Sequence, residues 1–269
     1  MEIHQWEISY EHQNGEILLV PFGDQHVGHV NSDKKKIEEY VGWIANTPNI
    51  YWFGTGDYSD CIIHSDERRY DFDCLDPDLP TPDEQYQYVA ELLGQIKDKC
   101  LGLLYGNHDF ELQRRHGHRY VALDLIPAVS TETRPVPFLG YNAMIKLKFK
   151  RKHKNGQSII IVATHGSSNA RTPGGKINAL LRWAQGFNGD VFCYAHTHDK
   201  YVHEREYYEL STNMTLVERR QIFCLTGGFL EGYKQGTTSY VERKNLEPMK
   251  TGIVKISIWP ETKKLRAQA

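Results

Sequence analysis

Five short stretches of this chain set Asp, His or Asn directly after an apolar run: Asp24-Gln-His26, Asp57-Tyr-Ser-Asp60, Asn107-His-Asp109, Thr164-His165 and His196-Thr-His198. Each has a plain reading when taken alone. Asp24 serves as a helix cap, Asp57 and Asp60 as turn formers, and His165 as a strand-end histidine with a local partner. Those readings weaken together, because every carboxylate and imidazole follows its own apolar run and His196 and His198 put two rings one residue apart. Nitrogen and oxygen donors gathered without thiolate suit borderline divalent metals such as Mn, Fe, Co, Ni or Zn.

The runs that deliver these groups are Ile17–Phe22, Ile50–Phe53, Leu101–Tyr105, Ile159–Ala163 and Val191–Ala195. Short continuous apolar runs are consistent with strands buried on both faces, as in a parallel sheet. In open α/β sheets ligands gather at the strands' carboxyl ends, so an α/β fold would bring the five motifs to one edge. Between the runs lie amphipathic helices. Ser32 caps one whose apolar residues Ile37, Tyr40, Val41 and Ile44 follow helical spacing; Thr81-Pro82-Asp83-Glu84 opens another, with the stripe Val89, Leu92, Leu93 and Ile96. Thr172-Pro-Gly-Gly-Lys176 precedes a third, carrying Ile177, Leu180, Leu181 and Ala184. Its Gly-Gly-Lys lacks the leading glycine of a P-loop and follows no strand directly.

Other segments alternate with period two. Ile145, Leu147 and Phe149 oppose Lys146, Lys148 and Lys150, and the turn Lys154-Asn-Gly156 leads into Ser158–Ala163, an antiparallel hairpin with one charged face. Asn14-Gly15 signals a hairpin that would set the first residues as an edge strand beside Ile17–Phe22. Gln221–Leu225 and Ile253–Trp259 read as antiparallel additions that complete a second sheet.

At 269 residues with evenly spread strands, residues 1–269 are expected to form one domain. A net charge of -2 and pI near 6.7 give no bulk attraction to polyanions, so nucleic-acid binding would need a local basic patch. The run Arg114–Arg119 is one candidate, with a solvated helix end as the alternative. No apolar stretch reaches the roughly 20 residues of a bilayer span, and the start lacks a basic-then-apolar segment, so a cytoplasmic location without a membrane partner is expected. Five scattered cysteines argue against a disulfide framework. The polar stretch 61–80, with Asp66, Asp71, Asp73, Asp76 and Asp78, reads as a loop insertion at the site rim or as an ordinary solvated loop.

In their order, DxH, GDxxD, GNHD, TH and HxH, the motifs resemble the calcineurin-like metallophosphoesterases from Asp24 to His198. The resemblance implies a four-layer α/β sandwich, two mixed β-sheets flanked by helices, with a dinuclear site at the strand ends. Carried over by position, Asp24, His26 and His198 hold one metal, Asn107, His165 and His196 hold the other, and Asp57 bridges them. It implies two divalent ions, Mn foremost with Fe, Zn, Ni or Co as alternatives, and a bridging hydroxide that attacks phosphorus in line. His108 then protonates the leaving alkoxide, Asp60 orients His108, and Asn107 helps to stabilise the phosphoryl oxygens. Asp109 is structural or catalytic. Arg114 and Arg115 would hold a flanking phosphate of a polynucleotide.

The chain departs from the pattern at Ala195, where glycine is usual, and at Cys61, where Ser/Thr protein phosphatases of this superfamily have a phosphate-clamping arginine. The second departure disfavours a phosphoprotein phosphatase. The expected function is a dinuclear metal-dependent phosphoesterase of phosphodiesterase or nuclease-like activity, with nucleic acid among the candidate substrates. A phosphomonoesterase acting on nucleotides or small molecules is the alternative. A non-catalytic binding protein on the same fold is the remote one.

Overall fold

Strand after strand in this chain is apolar on both sides, and that requires something to cover each face. A computed structural model describes residues 1–66, 70–116, 124–152, 154–233, 235–236, 240–243, 245 and 247–269. In order these form β1 (Glu2–Ser9), β2 (Ile17–Phe22), α1 (Lys34–Asn46), β3 (Ile50–Gly54), α2 (Pro82–Gly94), β4 (Cys100–Leu103), α3 (Asn107–His116), α4 (Ile126–Val129), β5 (Asn142–Arg151), β6 (Lys154–Asn155) and β7 (Ile159–Thr164). There follow α5 (Pro173–Ala184), β8 (Val191–Tyr194), β9 (Lys200–Leu210), β10 (Leu216–Gly228), α6 (Tyr240–Arg243), β11 (Gly252–Ile253), β12 (Lys255–Trp259) and β13 (Lys264–Gln268).

Among the described residues the strands make two mixed sheets. One has the order β1-β5-β7-β8-β10-β11, with β6 on β5 and β9 on β10; the other runs β13-β12-β2-β3-β4. Parallel pairing joins β7 to β8, β8 to β10, β2 to β3 and β3 to β4, whereas β5/β7 and β2/β12 are antiparallel. Alternate residues of one strand enter different cores. Ile17 and Leu19 of β2, Phe53 of β3, Ile159 and Ile161 of β7 and Val191 and Cys193 of β8 fill the space between the sheets. Val20, Phe22 and Trp52 face outward onto Ile37, Val41 and Ile44 of α1 and Val89, Leu92 and Leu93 of α2. On the other side Val162, Phe192 and Tyr194 pack against Leu180 and Ala184 of α5. The result is four layers, helix, sheet, sheet, helix, and continuous apolar runs are its natural sequence. Burying Phe22, Trp52 and Phe53 contributes roughly 1.5–3 kcal/mol each; all three are 0% exposed.

Helix starts follow local chemistry. At α2 the Thr81 hydroxyl accepts from the Glu84 amide at 3.3 Å while the Glu84 carboxylate accepts from the Thr81 amide at 2.9 Å, the reciprocal capping box. At α1 the cap is Asp33, which accepts from the Lys36 amide at 3.2 Å; Ser32, the residue expected there, donates its hydroxyl to the Gln25 carbonyl at 2.7 Å instead. The hairpin expected at Asn14-Gly15 also does not form a pair with β2. β1 crosses to the other sheet and pairs in parallel with β5, in register from Glu2↔Ala143 to Ser9↔Lys150. Likewise Gln221–Leu225 belongs to β10, antiparallel to β9 as expected but parallel to β8 and in the first sheet, and only β12 and β13 complete the second. All five cysteines are buried free thiols. Among the described residues no helix is long and apolar enough to cross a membrane.

Candidate metal centre

The five motif-bearing strands are divided between the sheets: β2, β3 and β4 lie in one, β7 and β8 in the other. Their carboxyl ends meet where the two sheets adjoin, so each sheet supplies part of the donor set. Close approach of the loops depends on glycine. Gly56 takes φ +92, and a Cβ on Gly106 would lie 2.0 Å from Asp57 Oδ1 and 2.1 Å from the Asp57 amide nitrogen. With those side chains absent, Asp24 donates its amide to the Gly56 carbonyl at 2.8 Å, and Gln25 and His26 donate theirs to the Asp57 carbonyl at 2.8 and 3.1 Å.

The donors themselves sit on strained backbone. Asp24, His26, Asp57, His196 and His198 adopt φ values of +48, +48, +50, +66 and +58, in the left-handed region that residues with a Cβ seldom enter. Such strain costs on the order of 1–3 kcal/mol per residue and persists where surrounding packing imposes it, characteristically at functional sites.

Among the described residues three groups have their ligand atoms within 4.8 Å of one another: Asp24 with His26 and His198, Asp57 with His165 and His196, and His26 with Asp60 and His108. In the first, His26 Nε2 lies 3.1 Å from His198 Nε2, and His198 Nε2 lies 3.5 Å from Asp24 Oδ1. In the second, His165 Nε2 is 3.2 Å from Asp57 Oδ2, and that oxygen is also 3.8 Å from His26 Nε2, so Asp57 stands between the groups. Partners behind the rings fix which nitrogen faces inward. His165 donates Nδ1–H to the Thr55 carbonyl at 2.8 Å, and His26 Nδ1 meets Asp60 Oδ1 at 3.2 Å, so that each Nε2 faces the centre.

Asn107 provides the sharpest test of fit. Its amide oxygen lies 2.9 Å from His165 Nε2, with His196 Nδ1 at 2.7 Å and Asp57 Oδ2 at 3.2 Å. Turning the amide would let its NH2 donate to all three. With the oxygen inward, four lone-pair donors converge on one point, an arrangement that a cation satisfies. The residues present therefore fit a pair of divalent ions.

His108 and Asp109 begin α3 on the far side of Asp57. The His108 amide donates to Asp57 Oδ1 at 2.9 Å, and its ring donates Nδ1–H to the Asp60 carbonyl at 2.7 Å, with Asp60 Oδ1 at 3.4 Å. Asp60 thus braces His26 and His108 together. Asp109, 1% exposed, accepts the Asp57 and Gly106 amides on one oxygen, both at 3.0 Å, and the Tyr86 hydroxyl on the other at 2.9 Å. Its geometry is that of a strut between two loops.

Burial dominates the electrostatics, and the charges then sort the groups. Burial pushes the Asp24 carboxyl up to about 8. Burial also raises Asp57, but His165 and His108 beside it hold that carboxyl well below the usual range. Asp60 follows the same pattern, lowered by hydrogen bonds from His108 and His26 against the effect of burial. For His165 and His108 burial favours the neutral ring, yet the Asp57 charge outweighs it and holds them up to about 10 and about 9. His196 is pushed down to about 4 by burial and by His165, and His198 well below its ordinary value by burial and His26. Without a cation, then, buried carboxylate charge retains protons on particular rings, and bound cations would displace them.

A cleft of about 860 Å³ opens over the centre, lined by His26, Asp57, Asp60, His108, His196 and His198. Ile62, Tyr70, Asp71, Cys74 and Leu75 from the 61–80 loop form part of its wall. Arg171 and Lys176, which the sequence reading passed over, also line it. A signal was available for Arg171, which follows His165 on the outgoing loop, whereas Lys176 lies near the start of α5 and donates to the Thr197 carbonyl at 3.2 Å. Arg114, by contrast, is exposed, donates to Glu111 at 2.8 Å and is not among the lining residues; the Arg115 side chain and residues 117–119 lie outside the described residues. Cys61 is buried, its amide donating to Gln85 at 2.9 Å.

Comparison with known proteins gives one assignment. The model of the calcineurin-like phosphoesterases matches residues 19–200. No curated protein matches the chain significantly. Similar solved structures include a protein described as a predicted phosphoesterase from Streptococcus pneumoniae, 14% identical over 91% of this chain and 84% of that one, with a TM-score of 0.34. Zinc-complexed Vps29 from Entamoeba histolytica is 10% identical over 94% and 97% with a TM-score of 0.40, and an NAD nucleotidase from Haemophilus influenzae is 12% identical over 95% and 49% with a TM-score of 0.39.

Proposed function

Because the chain belongs to the calcineurin-like phosphoesterase family, we propose that it hydrolyses phosphate esters with two divalent ions, Mn foremost, and that it prefers diesters to monoesters. The observation that carries the first part is the convergence of lone pairs from Asn107, His165, His196 and Asp57. In this reading Asp24, His26 and His198 hold one ion, Asn107, His165 and His196 hold the other, and Asp57 is shared. When bound, the ions supply Lewis acidity toward phosphoryl oxygens and a nucleophile from water near neutral pH.

The remaining work falls to the chain. His108 faces the cleft with Nδ1 committed to the Asp60 carbonyl, so Nε2 carries the transferable proton. In the cation-free protein Asp57 and Asp60 hold the ring up to about 9 against burial, and the hydrogen bond to Asp60 would keep Nε2 placed to give a proton to a leaving alkoxide. Asp60 is a positioning residue, since it keeps both His108 and His26 in orientation.

Diester preference rests on charge. A monoester carries an extra negative charge and gains most from a fixed cation beside the metals. After Asp60 this chain has a buried cysteine, while the acidic loop adds Asp71 to the wall, paired with Arg243. Arg171 favours the second reading, a phosphomonoesterase, because its guanidinium lines the same cleft. The deciding experiment supplies Mn and compares bis-p-nitrophenyl phosphate with p-nitrophenyl phosphate, in wild type and Arg171→Ala. Faster diester cleavage, little affected by the substitution, supports the diesterase. Faster monoester cleavage that collapses in Arg171→Ala moves the assignment to the monoesterase.

A further inference from the structure

Beside the cleft lies a second cavity of about 430 Å³ that the proposed chemistry does not use. Lys36 of α1, Lys200 at the start of β9 and Lys250 ahead of β11 line it, together with Tyr40 and Tyr233. Positions so far apart in sequence reach one hollow only through the fold. Lys255 joins the same group, its ammonium 6.0 Å from the centre of the Tyr40 ring. Two carboxylates stand against this charge: Glu231 in the cavity wall, and Asp33, which accepts from the Thr251 hydroxyl at 2.9 Å while that hydroxyl accepts from Lys36 at 3.0 Å. No ion pair is formed by Lys200 or Lys250 among the described residues. In a chain of net charge -2 this is a local concentration of positive charge.

The cavity adjoins the metal centre. Met249 lines both hollows, and Lys200 follows His198 by two residues, at most about 7 Å from Cα to Cα. One elongated anion would therefore touch both. We propose that the lysine cavity is a phosphate subsite that holds a substrate phosphate other than the one being cleaved, so that the preferred substrate is a single-stranded oligonucleotide. The choice of oligonucleotide rests on the diesterase reading given above. Tyr40 and Tyr233 line the same cavity beside the lysines, the combination of basic and aromatic residues that single strands use.

The test is a double substitution, Lys200→Gln with Lys250→Gln, in the full chain. Binding of a fluorescein-labelled oligothymidylate of about eight nucleotides is followed by anisotropy in EDTA, so the readout needs neither metal nor turnover. Wild type should bind at low salt, and the double variant about tenfold more weakly. The slope of log affinity against log salt should fall by roughly 1.4, about 0.7 for each lost phosphate contact on a single strand. Hydrolysis of bis-p-nitrophenyl phosphate, which has no second phosphate, should stay within about twofold. Equal affinity and slope in the two proteins, or no binding by wild type, overturns the subsite. If binding weakens as expected but neither protein cleaves any diester with Mn, the subsite stands and the diesterase reading falls.

Discussion

Loading the metal centre should release protons, and Asp57→Asn should remove the His165 share of that release. In the cation-free protein Asp57, 1% exposed, holds His165 at about 10 against the effect of burial. At about pH 7.5 that ring carries a proton on the nitrogen that must become a ligand. Removing it across roughly 2.5 pH units costs about 3 kcal/mol, at 1.36 kcal/mol per unit. The apparent affinity for Mn should therefore climb at least tenfold per pH unit between about pH 6 and pH 8.5. Titration calorimetry in buffers of different ionisation enthalpy should report at least one proton released, with Asp24, pushed by burial up to about 8, adding to the count. In Asp57→Asn the main attraction holding the His165 proton is gone, so the release should fall to what Asp24 supplies. Affinity nonetheless drops and activity disappears, because an amide does not neutralise two ions. Wild-type affinity that is flat with pH and free of proton release would refute the electrostatic argument. An Asp57→Asn protein with two tightly held ions and partial activity would sink the bridging role.

His108→Ala should keep both ions by elemental analysis yet lose on the order of 10²–10⁴ in turnover, less for p-nitrophenyl esters, whose leaving group needs little protonation; an emptied metal position would make His108 a ligand. Cation-free protein should lose thermal stability as pH rises from about 6.5 to 10. The sign follows from His165 and His108, whose folded values of about 10 and about 9 exceed the ordinary 6.5: their contribution is full below 6.5 and lost through the folded values. A melting temperature in EDTA that rises over this window contradicts the assignment. Gly106→Ala should destabilise the protein by at least about 3 kcal/mol in denaturant unfolding, since its Cβ would lie 2.1 Å from the Asp57 amide nitrogen; a neutral substitution would mean the two loops part easily. Asp109→Ala should weaken metal binding about 10–100-fold without touching a ligand, because the Asp57 and Gly106 amides lose their shared acceptor. Unchanged affinity would remove Asp109 from the support of the site.

Much of the architecture was legible locally. A strand buried on both faces is a continuous apolar run, so β2, β3, β4, β7 and β8 were visible with the polar residues that follow them. The cap at Thr81 and the stripes of α1, α2 and α5 depend on residues within a turn or two, and these too could be read directly, although the cap of α1 is Asp33 and not the neighbouring Ser32. What lies between distant segments was not legible. A run apolar on both faces carries no mark of which sheet it joins, and only packing divides the donors between two sheets. β1 alternates in sequence, but its parallel partner lies far along the chain, where no turn signal reaches. The left-handed backbone of Asp24, His26, Asp57, His196 and His198 is imposed by surrounding packing on residues whose own preferences oppose it. Acidic residues that looked free along the 61–80 loop are balanced from elsewhere, Asp71 by Arg243 and Asp76 by Lys34. Most of the basic run that begins at Arg114 lies outside the described residues. Lys36, Lys200 and Lys250 come from separate elements, and charge that is dispersed along a chain becomes a site only when the tertiary fold gathers it.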